Sequence, residues 1–228
     1  MRVLVLGHGK TGKLVAEVAA ERGHSVHVLD AKENANASAL TPPFVAGFDV
    51  VIDFTTPEAV MQNMRAVLAT GAKMVVGTTG WYDRLDKAKE LVDRRGASLL
   101  YGTNFSIGVQ TMLQMARRMG ELLKGGGYTF EVEETHHVTK LDAPSGTAIT
   151  LAEAVKATAG VAEVPIKAHR IGDAAGLHVV TAKSGADKIV LTHDAISRRG
   201  FAEGAVRAAE WLSTRTGTYD FQNVYDKV

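Results

Sequence analysis

Val3-Leu4-Val5-Leu6-Gly7-His8-Gly9-Lys10-Thr11-Gly12 decides the fold. Its first four residues are a short apolar run with β-branched valines, which reads as a buried parallel strand. Leu14, Val15, Val18 and Ala19 follow at helical spacing over Lys13 to Arg22, and Gly23 stands where a helix stops. A second strand, Ser25 to Leu29, ends at Asp30, about 20 residues beyond the glycines. Alone, G-x-G-x-x-G is a weak pattern. Between a strand and a helix, with an acid at that distance, it describes a dinucleotide-binding turn. Gly7 allows the tight bend, Gly9 lets a pyrophosphate approach the backbone, and Gly12 lets helix pack on strand. The phosphates would lie on the N–H groups of Gly7, His8, Gly9, Lys10, Thr11 and Gly12, and Asp30 would accept from the ribose hydroxyls.

The same grammar continues. Val50 to Phe54, Met74 to Val76 and Ser98 to Tyr101 are strands, with helices expected over Pro57 to Thr70 and Tyr82 to Arg95. This βαβ alternation predicts a parallel sheet with helices on its faces. The polar stretch after Asp30, with Asn34, Asn36, Pro42 and Pro43, is too broken for a long helix. Two of the strands run into Gly77-Thr78-Thr79 and Gly102-Thr103-Asn104. Small residues at the carboxyl ends of parallel strands suit a ligand lying close, so both segments are expected to touch the cofactor.

Beyond Phe105 the pattern changes. A Met-rich helix is expected over Val109 to Leu123, a strand over Thr129 to Glu133 and a helix over Thr147 to Thr158. His178 to Lys183 and Lys188 to His193 flank a Ser-Gly-Ala-Asp turn, as an antiparallel hairpin does. A last helix covers Phe201 to Thr214. The expectation is an α/β chain. A parallel, nucleotide-type half is followed by an α+β insertion, and the last helix rejoins the first half.

Composition narrows the function. The 26 Lys and Arg against 25 Asp and Glu give a net charge of +1, without the basic excess that phosphate-driven nucleic-acid binding needs. Zero cysteines exclude disulfides, thiolate metal sites and a cysteine nucleophile. No apolar run approaches a membrane span, and the N-terminus lacks a signal-peptide pattern, so a soluble cytoplasmic protein is expected.

The chemistry concentrates in Glu133-Glu134-Thr135-His136-His137-Val138-Thr139-Lys140-Leu141-Asp142-Ala143-Pro144-Ser145-Gly146-Thr147-Ala148. Two imidazoles and a lysine supply proton donors and anion binders. Adjacent histidines on an extended chain point to opposite sides, so they do not chelate one metal, and no metal is expected. Pro144 to Thr147 opens a helix whose N–H groups and hydroxyls suit a carboxylate. Asp142 or Ser145 as a plain helix cap, and either histidine as an ordinary strand residue, are the alternatives.

This segment resembles the dihydrodipicolinate reductase family of bacterial lysine biosynthesis. So do the glycine loop, Ile52-Asp53-Phe54-Thr55, Gly77 to Gly80, Asn104-Phe105-Ser106, Ser197-Arg198, Phe201, Gly204-Ala205 and Trp211-Leu212. The resemblance implies NADH- or NADPH-dependent reduction of 4-hydroxy-tetrahydrodipicolinate to tetrahydrodipicolinate with loss of water. It implies His136 as proton donor, and Lys140 as second proton donor and carboxylate binder. His137, Ser145, Gly146 and Thr147 would hold the substrate's carboxylates. Gly7 to Gly12, Asp30, Gly77 to Thr79 and Gly102 to Phe105 would form the cofactor site, with Asp30 favouring NADH. The implied fold is a Rossmann-like dinucleotide-binding domain, residues 1–105 and 196–228, and an α+β substrate-binding and oligomerisation domain with an open mixed sheet, residues 106–195. A homotetramer acting on a small dicarboxylate is the implied assembly. Two departures touch the adenosine end: a glycine loop one residue shorter than in many members, and an abbreviated segment between Asp30 and Phe48. Another small dehydrogenase of the same fold would not explain the Lys140 to Thr147 run. A sensor binding NAD(H) without turnover would not need both His136 and Lys140.

Overall fold

Strands buried on both faces must be apolar throughout, and β1 (Arg2–Leu6) shows it: Val3, Leu4, Val5 and Leu6 are all fully buried. Around it lie β2 (Ser25–Leu29), β3 (Val50–Asp53), β4 (Lys73–Val76), β5 (Ser98–Tyr101) and a later strand, β10 (Gly217–Asp220). All pairs are parallel, in the order β10-β5-β4-β3-β1-β2. The computed structural model describes residues 1–228, in which residues 1–106 with 199–228 form one unit and residues 107–198 another.

In the first unit, α1 (Lys10–Glu21) starts inside the glycine motif, because Gly9 is its N-cap. A Cβ on Gly12 would stand 2.1 Å from the Gly7 carbonyl oxygen, and one on Gly7, whose φ is +100°, would meet the Phe54 carbonyl at 2.2 Å. Both glycines are therefore demanded by close backbone packing. Where a full dinucleotide half adds a strand outside β2, this chain has turns, a short 3₁₀ helix (Ala35–Ala37) and the four-residue helix α2 (Pro42–Val45). α3 (Pro57–Leu68) and α4 (Leu85–Arg95) pack together over Leu4, Leu6, Val51, Met74 and Leu99, while α7 (Arg199–Leu212) lies beside α1. β10 escaped the sequence reading because Gly-Thr-Tyr-Asp has no apolar run, and pairing with β5 makes it a strand.

The second unit packs α5 (Ile107–Leu123) and α6 (Gly146–Ala159) onto a mixed sheet ordered β7-β6-β8-β9. Its strands are β6 (Thr129–His136), β7 (Ile166–Arg170), β8 (Leu177–Lys183) and β9 (Lys188–Asp194). β8 and β9 form the expected antiparallel hairpin. β6 runs three residues beyond the expected end at Glu133, and the edge strand β7 was not expected, since Ile166-Lys-Ala-His-Arg carries one large apolar residue. The core holds Met112, Leu113, Phe130, Val132, Leu151, Val155 and Val180. No helix in the chain is long and apolar enough to cross a membrane.

Asp53, fully buried at the end of β3, ties the first unit's loops together. Its Oδ1 accepts from Thr78 Oγ1 at 2.7 Å, Thr55 Oγ1 at 2.7 Å and the Thr55 N–H at 3.0 Å, and its Oδ2 accepts from Asn63 Nδ2 at 2.8 Å. Burial pushes its pKa up against the pull of these bonds. Asn63 Oδ1 in turn accepts from Asn34 Nδ2 at 3.0 Å. Asp53→Ala strands these donors in the interior, so denaturant unfolding should show a loss of about 3 kcal/mol. Asp53→Asn keeps an acceptor at Oδ1 and should lose less than half of that.

Candidate active site

The strand order of the first unit reverses between β1 and β3, where open parallel sheets bind ligands. A cavity of about 410 Å³ opens there, lined by Gly7, His8, Gly9, Asp30, Asn34 and Asn63 among others. A second, of about 320 Å³, is bounded by Gly9, Lys10, Thr11 and Gly12 on one side and Gly77, Thr78 and Thr79 on the other. α1 has no side-chain cap, and a Cβ at Gly9 would meet nothing within 4 Å. Its first-turn N–H groups are thus available to an anion. Asp30 Oδ1 accepts from the N–H groups of Lys32 at 2.8 Å and Glu33 at 2.9 Å, and these bonds hold its carboxyl below the usual range. An uncapped helix end, two roomy cavities and an ionised acid beside one of them fit a dinucleotide. Gly102, Thr103, Asn104 and Phe105 line neither cavity. Phe105 is core, its ring 4.6 Å from that of Phe221, and Asn104 Oδ1 accepts from the Ser106 N–H at 2.8 Å.

Alternation along a strand builds the polar site of the second unit. On β6 the inward residues are Phe130, Val132, Glu134 and His136, so two apolar positions are followed by two ionisable ones. β8 pairs antiparallel with Val180 opposite Val132 and His178 opposite Glu134. β7 runs parallel, with Arg170 opposite His136. Register alone thus gathers Glu134, His136, His178 and Arg170 at one end of the sheet's inner face. Glu134 Oε2 lies 3.1 Å from His136 Nδ1 and 3.7 Å from His178 Nε2. Glu134 Oε1 accepts from Arg170 at 3.2 Å and from the Ser145 N–H at 2.9 Å. Burial acts to raise the pKa of Glu134, but Ser145, His136 and Arg170 reverse it, leaving the carboxyl below its usual range. His136 is pushed down by burial, with Lys140 and Arg170 adding to the effect and Glu134 opposing it. His178 is driven down to about 4, first by burial and then by His136.

The segment after β6 folds back over these groups. Lys140 Nζ pairs with Asp142 at 2.7 Å, and Arg170 donates to the carbonyls of Lys140 and Asp142, fastening the loop to Glu134. His137 points elsewhere, as alternation requires. Its Nδ1 lies 2.7 Å from Thr139 Oγ1, and its Nε2 accepts from Arg198 at 2.8 Å. Ser145 is the N-cap of α6: its Oγ accepts from the Ala148 N–H at 3.2 Å, while its own N–H is given to Glu134. Its polar atoms are thus engaged within the protein. Gly146 is exposed at the helix start and Thr147 is half-buried beside it.

Glu134, Arg170, His178 and Arg198 received no role in the sequence reading. For Glu134 and His178 the signal was present, since strand parity counted from Phe130 and Val180 puts both on the apolar face. Arg170 gave no signal because its strand was not foreseen. Glu134, His136 and His178 bring three donor atoms within 4.8 Å, an arrangement that could hold a metal ion. The Arg170 guanidinium already supplies Glu134 with its countercharge, and that electrostatic setting disfavours a second cation.

Two family models cover the chain: dihydrodipicolinate reductase, N-terminus, over residues 1–105, and dihydrodipicolinate reductase, C-terminus, over residues 108–225. The chain belongs to the dihydrodipicolinate reductase family. It is 36% identical over 238 residues to the 4-hydroxy-tetrahydrodipicolinate reductase of Christiangramia forsetii, covering 98% of this chain and 97% of that one. The enzyme of the same name from Natronomonas pharaonis is 36% identical over 247 residues, covering 98% and 99%. Enzymes of this name are NAD(P)H-dependent oxidoreductases of the diaminopimelate route to lysine. Among solved structures, the dipicolinate-bound dihydrodipicolinate reductase from Paenisporosarcina sp. TG-14 superposes with a TM-score of 0.78 at 22% identity, over 98% of this chain and 99% of that one. An amine dehydrogenase from Mycobacterium smegmatis superposes at 0.62 with 11% identity, over 96% and 94%. At these identities the likeness concerns the fold.

His178 is neutral when folded, whereas in the unfolded chain it takes up a proton below about pH 6.5. The stability it contributes is therefore complete above that pH and is lost as the pH falls towards 4. Between pH 7 and pH 4, His178→Asn should lose about 3 kcal/mol less than the unsubstituted chain in denaturant titrations.

Proposed function

We propose that this chain reduces 4-hydroxy-tetrahydrodipicolinate to tetrahydrodipicolinate with loss of water, using NADH or NADPH. The observation that carries the reading is the second unit's segment from His136 to Thr147, which holds a buried imidazole, an ammonium and a helix start exposed at Gly146. Membership in the dihydrodipicolinate reductase family supports it. On this reading, residues 1–105 with 196–228 are the dinucleotide-binding domain, and residues 106–195 bind substrate and oligomerise.

Bound in the first unit, the reduced nicotinamide supplies the hydride. The backbone of Gly7 to Gly12 at the start of α1 would hold the cofactor's pyrophosphate, with Gly77 to Thr79 on the other side of the cavity. Gly102 to Phe105 contribute through backbone, since the Phe105 ring is buried. In the second unit, the N–H groups of Gly146 and Thr147 and the Thr147 hydroxyl take one substrate carboxylate, with Ser145 shaping the helix end. Lys140 leaves Asp142 for a carboxylate of the substrate, and His137 with Arg198 adds a further donor pair. Electron density left on the conjugated imine by hydride addition must be protonated, and His136 or Lys140 gives that proton.

Asp30 supports NADH as the preferred cofactor. An ionised acid there accepts from a ribose diol and repels a 2′-phosphate, and Lys10 and Lys32 soften the repulsion. We further read the chain as a cytoplasmic homotetramer. The outer face of the second sheet, with Val190 44% exposed, supports self-association. The testing experiment is an assay on the synthase product, following loss of reduced-nicotinamide absorbance. NADH should give the higher kcat/KM, by less than about a hundredfold. Asp30→Asn should move the ratio towards NADPH by roughly tenfold.

The same assay separates two jobs in the second unit. His136→Ala and Lys140→Ala should each cut kcat by roughly 10²–10⁴-fold while NADH still binds. Thr147→Val should raise the substrate KM by about ten- to a hundredfold with kcat nearly kept, the cost of one charge-assisted hydrogen bond. Near-normal kcat with lost NADH affinity in the first two variants would sink the assignment.

A further inference from the structure

Glu134 Oε2 and His136 Nδ1 are both buried and lie 3.1 Å apart, an ion-pair contact that is not aligned as a hydrogen bond, and neither atom hydrogen-bonds to any other group. Each is the other's only polar partner at that range. The opposite oxygen, Oε1, is taken by three donors: the Ser145 N–H and two guanidinium nitrogens of Arg170. The carboxylate is therefore oriented from behind, and its free oxygen lies beside one ring nitrogen. We propose that Glu134 is a positioning residue for the reaction, holding the Nδ1–H of His136 so that Nε2 carries the proton that is transferred. This rests on His136 being the proton donor.

Several things follow from this assignment. Neutral His136 is the Nδ1–H tautomer, with Nε2 bare. When protonated, the ring is an imidazolium paired with Glu134, and Nε2–H is the acid. Transfer breaks that N–H bond, forms the new bond to hydrogen on the substrate, and leaves the Nδ1–H in place. The ring then regains its proton from solvent. Facing His136 are Glu134, which favours the charged ring, and Lys140, Arg170 and His178, which oppose it, with Asp142 beside Lys140. His193 stands next to His178 on β9. Buried and neutral, His178 leaves His136 as the imidazole that charges. Through the Ser145 N–H, the same carboxylate anchors the start of α6, so the proton donor and the carboxylate-binding helix end share one fixed point.

Glu134→Gln is the informative substitution. Its amide oxygen must serve Ser145 and Arg170, which turns the NH₂ group towards His136 and forces the Nε2–H tautomer. The expected result is a kcat about 10- to 100-fold lower, with KM for substrate and for NADH within about threefold. The alkaline limb of the kcat profile, where the acid is lost, should move down by about one pH unit. Nitrogen-15 shifts of the histidine rings in the full-length protein, assigned with His136→Gln, should show Nδ1–H in the unsubstituted chain at pH 8. An Nε2–H tautomer there overturns the proposal, and so does a Glu134→Gln enzyme whose limb does not move. If that variant fails to fold, the tautomer of the unsubstituted protein decides alone. That reading needs no turnover, so it is separate from failure of the reductase activity itself.

Discussion

A carboxylate removed from water must be met by donors on every side, or folding forfeits several kcal/mol. This chain accepts that demand twice, once in each unit. Asp53 satisfies it with Thr55, Thr78 and Asn63, and so fixes the loops after β3 and β4 to α3. Glu134 meets it with Ser145 and Arg170 at one oxygen and the ion-pair contact of His136 at the other, and so fixes the start of α6 and the loop after β6. In both cases the donors come from segments that carry candidate site residues. The interior charge acts as an anchor from which the surface chemistry is hung.

The two units solve the positioning problem by different means. In the first, backbone does the work: glycines let chain segments approach, and a helix start offers N–H groups. In the second, side chains on an alternating sheet are brought together by register. A register slip of one residue on β6 would turn Glu134 and His136 outward and put Glu133 and Thr135 in their place. The apolar contacts of Phe130 and Val132 with β8 and the helices therefore hold the polar end in alignment.

How much of this could be read from the residues follows from the range of the forces involved. The parallel sheet, the glycine turn and the helices of the first unit are local patterns, and they were legible. So was the segment from His136 to Thr147, where chemistry and chain order coincide. β7 and β10 were not legible, because Ile166-Lys-Ala-His-Arg and Gly-Thr-Tyr-Asp owe their strand conformation to partners distant in sequence. Arg170 was lost with β7. Strand parity from Phe130 separates Glu134 from its neighbour Glu133, but the pairing that places His178 opposite Glu134 is a long-range contact that parity does not supply. The commitment of Ser145 to Glu134 and the burial of Phe105 likewise depend on tertiary contacts.

The amides of Asn34 and Asn63 carry a consequence of their own. Each has one donor end and one acceptor end, and in this chain both point the same way: Asn34 Nδ2 gives to Asn63, and Asn63 Nδ2 gives to Asp53. A side-chain amide could ordinarily sit either way round. Here the negative end of the series, at the tip of β3, orders them like compass needles. Asn34 belongs to the lining of the larger cavity, so the polarity of one patch of that wall is written by a charge two side chains away.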